Sequence, residues 1–219
     1  DFMAAGGDTY YAFKTASANY DIGVPMDEVL MDYITEELDG TVTAARYGQT
    51  ANRIHTISYN DVTAGDWFAR DVIYVTLTGL MNGTGSNTFS PNASTTRGML
   101  MTVLARYAGE DTTGGATWYE KGMNWAKAKG VSDGTHPTVN ITREQLVTML
   151  YRYAGSPTAN GKLDNFSDSA SVSSYAENAM QWAVANGIVN GSNGKLNPQN
   201  NATRAEVAAI LMRFCEMSK

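Results

Sequence analysis

The pattern of hydrophobic and polar positions between residues 57 and 219 repeats three times. Apolar residues recur at i, i+3, i+4 and i+7 in three segments, each beginning at a Thr-Arg pair: Thr96-Arg97, Thr142-Arg143 and Thr203-Arg204. This spacing places the apolar side chains on one face of an α-helix. The predicted faces are Leu100, Val103, Leu104, Tyr107; Leu146, Met149, Leu150, Tyr153; and Val207, Ile210, Leu211, Phe214. Three helices with the same internal spacing indicate three copies of one unit.

A second helix is predicted ahead of each of these. Each ends at a glycine, Gly79, Gly130 or Gly187, because glycine adopts the left-handed conformation that closes a helix. One aromatic residue stands five positions before each glycine, and another stands twelve before it, at the predicted helix start: Trp67, Trp118 and Tyr175. Each copy is therefore helix, loop, helix, and is too small to bury its apolar face alone. The sequence predicts a mainly α fold in which three units share one centre.

The three copies have diverged unequally. We assign them to residues 57–109, 110–155 and 156–219, and the middle copy is the shortest. The first and third copies share an opening stretch and a loop stretch. The opening stretch is Tyr59-Asn60-Asp61-Val62 in the first copy and Phe166-Ser167-Asp168 in the third. The loop stretch is Phe89-Ser90-Pro91 in the first copy and Leu196-Asn197-Pro198 in the third. The middle copy retains only a weak match to the first stretch, near Asp111. The Gly-, Thr-, Ser- and Asp-rich linkers 109–116 and 155–164 are expected to be exposed.

Composition excludes several classes of partner. The net charge is −6, which disfavours a nucleic-acid or anionic membrane surface, because both require a positive field. The same charge and the long loops argue against helix-turn-helix DNA binding. No run reaches the roughly 18 apolar residues of a membrane span. The single cysteine, Cys215, lies in an apolar helical pattern and reads as a buried residue. An anionic ligand would therefore have to be held by a few placed cations.

The arginines of the Thr-Arg pairs are the candidate cations. Arg97, Arg143 and Arg204 fall at the first position of their helices, where a cation is mildly unfavourable. A helix N-terminus together with a guanidinium is a good receptor for a carboxylate, so we predict an open clamp there. Glu144 and Glu206 are further candidates. The alternative is that the Thr and Glu residues only cap helices, as boxes formed by Thr142 with Gln145 and Thr203 with Glu206. The later arginines, Arg106, Arg152 and Arg213, are predicted to be structural, near the helix C-termini.

The order of these motifs resembles the S-layer homology repeat. The third copy is the most similar, with Gly187-Ile188-Val189-Asn190-Gly191 followed by Thr203-Arg204-Ala205-Glu206. The resemblance implies a three-sided prism with pseudo-threefold symmetry that binds secondary cell-wall polysaccharide, often through a pyruvylated amino sugar. It places the protein outside the cell, at the cell wall or S-layer. The ligand-binding candidates are the three arginines and two glutamates above, the aromatics Trp67, Trp118 and Tyr175, and the loop glycines Gly83, Gly134 and Gly191.

Residues 1–56 have another character. Asp1-Phe2-Met3-Ala4-Ala5-Gly6-Gly7-Asp8-Thr9-Tyr10 resembles a stretch near the end of the C-terminal domain of bacterial 5′-nucleotidases. The resemblance implies a short α/β remnant in which Phe2 would stack on a base and Asp8 would bond the ribose. The alternative is a simple turn at Gly6-Gly7-Asp8. The chain has two histidines, His55 and His136, without ligand-spaced partners, so we expect no metal site, no cofactor and no catalytic residue here. Any divalent metals would belong to a missing catalytic part, which could also be a partner of this segment.

Three functions remain open. The first is noncovalent attachment of a secreted nucleotidase-like protein to wall polysaccharide. The second is that the chain forms part of a metal-dependent 5′-nucleotidase whose catalytic domain is missing. The third is a component of the S-layer lattice.

Overall fold

The computed structural model describes residues 59–85 and 87–217. This part of the chain holds six α-helices and no β-strand, which confirms the predicted mainly α fold. The helices are α1 Ala69–Leu77, α2 Arg97–Tyr107, α3 Glu120–Ala128, α4 Arg143–Tyr153, α5 Glu177–Ala185 and α6 Arg204–Met217. Two 3₁₀ helices, Ser169–Ser171 and Ser174–Ala176, precede α5. Each of the ranges 57–109, 110–155 and 156–219 holds two α-helices. The predicted α/β remnant at 1–56 lies outside the described residues.

The first helix of each unit is shorter than predicted. α1, α3 and α5 have nine residues each and begin two positions after the aromatics expected at their starts. Their ends agree with the prediction, because Gly79, Gly130 and Gly187 all have φ near +70° (71°, 70° and 67°). The second helices begin where expected. Thr142 and Gln145 form a capping box, and Thr203 and Glu206 exchange the same pair of hydrogen bonds.

The helices pack across repeats. α2 packs against α3, α4 against α5, and α6 against α1. The second helix of each unit therefore covers the first helix of the next unit, and the third unit closes the ring onto the first. The predicted buried faces of α2, α4 and α6 meet in one core, where Tyr107, Tyr153 and Phe214 form a trio with ring centroids 5.7–6.0 Å apart. These helix pairs supply the shared burial that a single unit lacks.

A closed ring of three hydrogen bonds joins the segments that lead into α2, α4 and α6. Thr95 N–H donates to the Ala202 carbonyl, Ala202 N–H to the Ile141 carbonyl, and Ile141 N–H to the Thr95 carbonyl, each at 2.9 Å. All three residues are buried. This cyclic pattern fixes the pseudo-threefold arrangement, since each segment is both donor and acceptor to its neighbours.

The aspartates of the opening motifs hold the loops of the first and third units. The Asp61 carboxylate accepts hydrogen bonds from the N–H groups of Phe89 and Ser90, and Asp168 accepts from Leu196 and Asn197 in the same way, all at 2.7–2.8 Å. Burial acts to raise the pKa of both carboxyls, but the donated N–H bonds outweigh it, and both pKa values lie below the usual range.

The middle unit does not use this device. Asp111 accepts hydrogen bonds from Thr113 in its own linker and from Lys121 in α3, and these bonds lower its pKa. The linkers 109–116 and 155–164 are mostly exposed, apart from Thr112 and Leu163, whose side chains are buried.

Candidate functional site

The start of each second helix is bonded to the next unit. At α2, Arg97 N–H donates to the Val139 carbonyl and Gly98 N–H to the Pro137 carbonyl. The first two N–H groups of α4 donate to Asn200 and Pro198, and those of α6 to Ala93 and Pro91. The third N–H of each helix bonds the threonine cap. The predicted open clamp is therefore wrong in one respect: these helix N–H groups already have partners, so they are not available to an anion.

Arg143 and Arg204 also bond inside the protein; they are 9% and 6% exposed. Arg143 donates through Nε to the Leu196 carbonyl at 2.9 Å and through Nη1 to Glu206 Oε1 at 2.7 Å. Arg204 donates to the carbonyls of Phe89 and Asn82 and lies over the Phe89 ring, 4.5 Å from its centroid. Each arginine thus links its own unit to the next one. This arrangement differs from the exposed cation we predicted.

Arg97 makes the same kind of link but remains partly accessible. It donates to the Thr135 carbonyl, to Ser132 and to Asp133, whose carboxylate lies 2.8 Å from Nη2. The N–H of Thr135 lowers the pKa of Asp133 most, burial opposes it, and Arg97 lowers it further. Arg97 also lines an open groove, whose lining does not include Arg143 or Arg204.

This groove has a volume of about 270 Å³ and lies where all three units meet. Arg97 comes from the first unit, Tyr175 from the third, and the floor from α4 and the loop before it. Its lining residues are Arg97, Ser132, Asp133, Gln145, Thr148, Met149, Arg152 and Tyr175. The groove thus combines guanidinium groups, hydrogen-bonding side chains and an aromatic ring, a mixture that suits a polar, acidic ligand.

Arg152 is the groove residue that sequence reasoning missed, because we predicted it to be structural. It lies in the last turn of α4 and is exposed. Within 59–85 and 87–217 it forms no salt bridge, whereas Arg106 donates to Thr112 and Arg213 to the Ile188 carbonyl. The sequence carries one signal for this role. Arg152 lies two to three turns beyond Arg143 on α4, and the i, i+3, i+7 spacing of Gln145, Thr148 and Arg152 places these three residues on one face of the helix.

The three aromatics ahead of the first helices are exposed. Trp67, Trp118 and Tyr175 are 64%, 54% and 52% exposed, one in each unit. Trp67 and Trp118 form T-shaped pairs with Phe68 and Tyr119, with ring centroids 5.2 and 5.1 Å apart. Tyr175 alone of the three lines the groove described above.

Two of the three loop glycines lie against aromatic rings. A Cβ at Gly83 would lie 2.8 Å from the Tyr59 ring, and one at Gly191 would lie 2.6 Å from the Phe166 ring. The opening aromatic of its own unit covers each of these two glycines, so neither forms the groove wall that we predicted. Gly134 is adjacent to the groove residue Asp133, and its N–H donates to Ser132.

Both candidate glutamates are engaged within the protein. Glu206 shares its two oxygens between Arg143 and the N–H of Thr203. Glu144 is 2% exposed and bonds Ser173 and Tyr175. Glu144 is thus shut off from solvent, whereas the Glu206 side chain is 30% exposed but already paired.

Across the part of the chain that the structure describes, no group of three or more His, Cys, Asp or Glu residues could hold a metal ion. No helix in that part is long and apolar enough to cross a membrane. Phe2, Asp8 and His55 lie outside the described residues.

Comparison with known proteins identifies the repeats. Residues 58–98 and 165–208 match the S-layer homology domain. An amylopullulanase of Thermoanaerobacterium thermosulfurigenes is 32% identical over 212 residues, which covers 85% of this chain and 11% of that protein. The chain thus spans about a tenth of the length of this curated relative.

The chain therefore contains S-layer homology domains in its first and third units. Domains of this family attach proteins to a cell-wall polymer, which places the chain outside the cell, at the cell wall or S-layer. The middle unit lies outside the two matched ranges. It nevertheless has the same pair of helices, the same Thr-Arg start and the same link to the next unit.

Proposed function

We propose that the chain binds an acidic sugar of the secondary cell-wall polysaccharide, a pyruvylated amino sugar, in the groove lined by Arg97, Arg152 and Tyr175. The observation that carries this proposal is the exposed guanidinium of Arg152 beside an exposed aromatic ring. A carboxylate on the sugar would pair with Arg152, and the apolar face of the sugar would lie against Tyr175. Gln145 and Thr148 offer hydrogen bonds to hydroxyl and acetamido groups.

Local charge supports an anionic ligand at this groove despite the net charge of −6. Asp133 offsets the charge of Arg97, whereas Arg152 is a cation of the lining with no carboxylate within salt-bridge distance among the described residues. At the other two junctions, the charge of Arg143 is paired with Glu206, and Arg204 is buried against carbonyl groups and Phe89. We therefore propose one principal binding site per chain, at the junction where the middle unit meets its two neighbours.

Calorimetric titration of the chain with purified secondary cell-wall polysaccharide tests the proposal. The native polysaccharide should bind, and chemical removal of its pyruvyl groups should abolish the heat. Arg152→Gln should weaken binding by about tenfold, because a charge-assisted contact is lost. Arg70→Gln is the matched control, since Arg70 is an exposed helix arginine outside the groove lining, and it should bind as the wild type does. Equal heats with native and depyruvylated polysaccharide would refute the carboxylate contact.

A second proposal concerns the kind of protein to which this module belongs. We infer from the resemblance of residues 1–56 that it is a secreted nucleotidase-like protein. The amylopullulanase matches this chain over only 11% of its own length, which fits a module that recurs in otherwise different proteins. Release of phosphate from AMP, with added divalent metal, would show that the chain itself carries nucleotidase activity. Concentration-dependent light scattering without wall material would favour a lattice role instead.

A further inference from the structure

A buried carboxylate lies directly behind the groove. Glu144 occupies the second position of α4 and is 2% exposed. Its Oε2 accepts the N–H of Ser173 at 3.0 Å, and its Oε1 accepts the hydroxyls of Ser173 and Tyr175, both at 2.8 Å. The acid of the middle unit is thus tied to the segment that leads into α5 of the third unit, and one of its bonds ends on the groove residue Tyr175.

The equivalent positions in the other units lack both partners of this bond. Gly98 and Ala205 stand where Glu144 does, counted from the Thr-Arg pair, and Trp118 and Trp67 stand where Tyr175 does. Gly98 with Trp118 is therefore sufficient where α2 joins α3. Ala205 with Trp67 is sufficient where α6 joins α1. The acid and the phenol occur together only at the junction that forms the groove, so joining the units does not by itself explain them.

The bond also defines what Tyr175 presents to a ligand. Burial, followed by the hydrogen bond to Glu144, raises the pKa of Tyr175 to about 12, so the phenol stays protonated and donates. With the hydroxyl held from behind, the ring stands at the groove edge with 52% of the residue exposed. A ring that is fixed before binding loses less conformational entropy when a sugar stacks on it.

We propose that Glu144 is a positioning residue, which holds the Tyr175 ring in place as the stacking surface for the acidic sugar. The inference rests on the proposed function. Glu144 does not contact the ligand; it acts through the hydroxyl of Tyr175.

The chain's own repeats supply the test variants. Glu144→Ala introduces the residue of the third unit, and Tyr175→Trp introduces the aromatic of the first two. The probe is a synthetic pyruvylated N-acetylhexosamine, titrated into the full chain, with thermal unfolding measured on each variant. Glu144→Ala should weaken binding by about tenfold, which is within the range of couplings between residues in contact. Tyr175→Trp should bind within about threefold of wild type, since the larger stacking surface of the indole offsets the loss of the bond to Glu144, whereas Phe has no such gain.

The double variant separates positioning from a merely structural role. In the Tyr175→Trp background, adding Glu144→Ala should leave affinity unchanged, because the hydroxyl through which Glu144 acts is absent. Wild-type affinity in folded Glu144→Ala, or an equal loss in both backgrounds, would overturn the inference while leaving the proposed function intact. If Glu144→Ala does not fold, Tyr175→Phe replaces it and should show the tenfold loss, and wild-type affinity there would overturn the inference. Failure of the wild type to bind either probe or polysaccharide would overturn both proposals.

Discussion

Replacing Arg143 by methionine should destabilise the protein. The Arg143 guanidinium is buried, 2.7 Å from Glu206 and 2.9 Å from the Leu196 carbonyl. Breaking a buried ion pair by removing one partner costs about 3–5 kcal/mol. The Glu206 side chain is 30% exposed, so solvent reduces this to about 2 kcal/mol. The lost bond to Leu196 adds about 1 kcal/mol. We expect Arg143→Met to lower the free energy of unfolding by about 3 kcal/mol, and methionine keeps much of the apolar stem volume.

Urea unfolding of the full chain, followed by far-UV circular dichroism, measures this effect. For a folded unit of this size, about 3 kcal/mol also corresponds to a melting temperature lower by about 6–12 °C. Arg70→Met is the matched control. Arg70 forms a 3.6 Å pair with Glu216, but the side chains are 83% and 45% exposed, so its loss should cost less than about 0.5 kcal/mol.

A double-mutant cycle with Glu206→Gln isolates the ion pair. Because the two side chains are in direct contact, their coupling should be about 1–2 kcal/mol. The reasoning fails if Arg143→Met unfolds at the wild-type urea concentration and loses polysaccharide binding. That result would instead support the role predicted from the sequence, in which Arg143 binds the carboxylate of the ligand.

Two further predictions concern the closed ring of hydrogen bonds and the loops. Thr95→Val should raise the free energy of unfolding by about 1 kcal/mol in urea, because Thr95 Oγ1 is buried without a hydrogen-bond partner among the described residues. The Thr102 hydroxyl donates to the Gly98 carbonyl, so Thr102→Val should lower the free energy of unfolding. A change of the same sign in both variants would contradict the argument. Folding lowers the pKa of Asp168, so its stabilising effect is full above the unfolded value of about 3.9 and is lost as pH falls through the lower folded value. Asp168→Asn should therefore flatten the fall in unfolding free energy between about pH 5 and pH 2, and slopes identical to wild type would refute the assignment.

The sequence predicts the helices well because their signals are local. The spacing of Leu146, Met149 and Leu150 marks a buried face, and all three side chains are buried in the core. The same periodicity does not say what covers that face. The cover of α4 is α5 of the next unit, and this choice depends on the path of the intervening loop rather than on any local pattern.

The candidate site was harder to predict for the same reason. A Thr-Arg pair places Arg143 at the first turn of a helix, but its burial depends on a carbonyl and a carboxylate from the following unit. The contribution of Arg152 depends on its place beside Arg97 of the first unit and Tyr175 of the third, and that is a tertiary property.

One long-range contact was readable from the copies themselves. The motif with Asp61 or Asp168 and the loop stretch after the first helix are present together in the first and third units, and both are reduced in the middle unit. Such joint loss is expected when one group bonds the other, and the two aspartates do bond those loops.

The closure of α6 onto α1 fixes the number of units. Open repeat proteins lengthen by duplication, because each terminal repeat presents a face on which another can stack. Here each second helix already covers the next first helix, and the closed ring of Thr95, Ile141 and Ala202 uses the N–H and carbonyl of all three residues, so none is left to pair with another unit. A fourth unit would have to open that ring before it could join. Such a module can diversify only by changing its loops and junctions, which is where the middle unit differs from its neighbours.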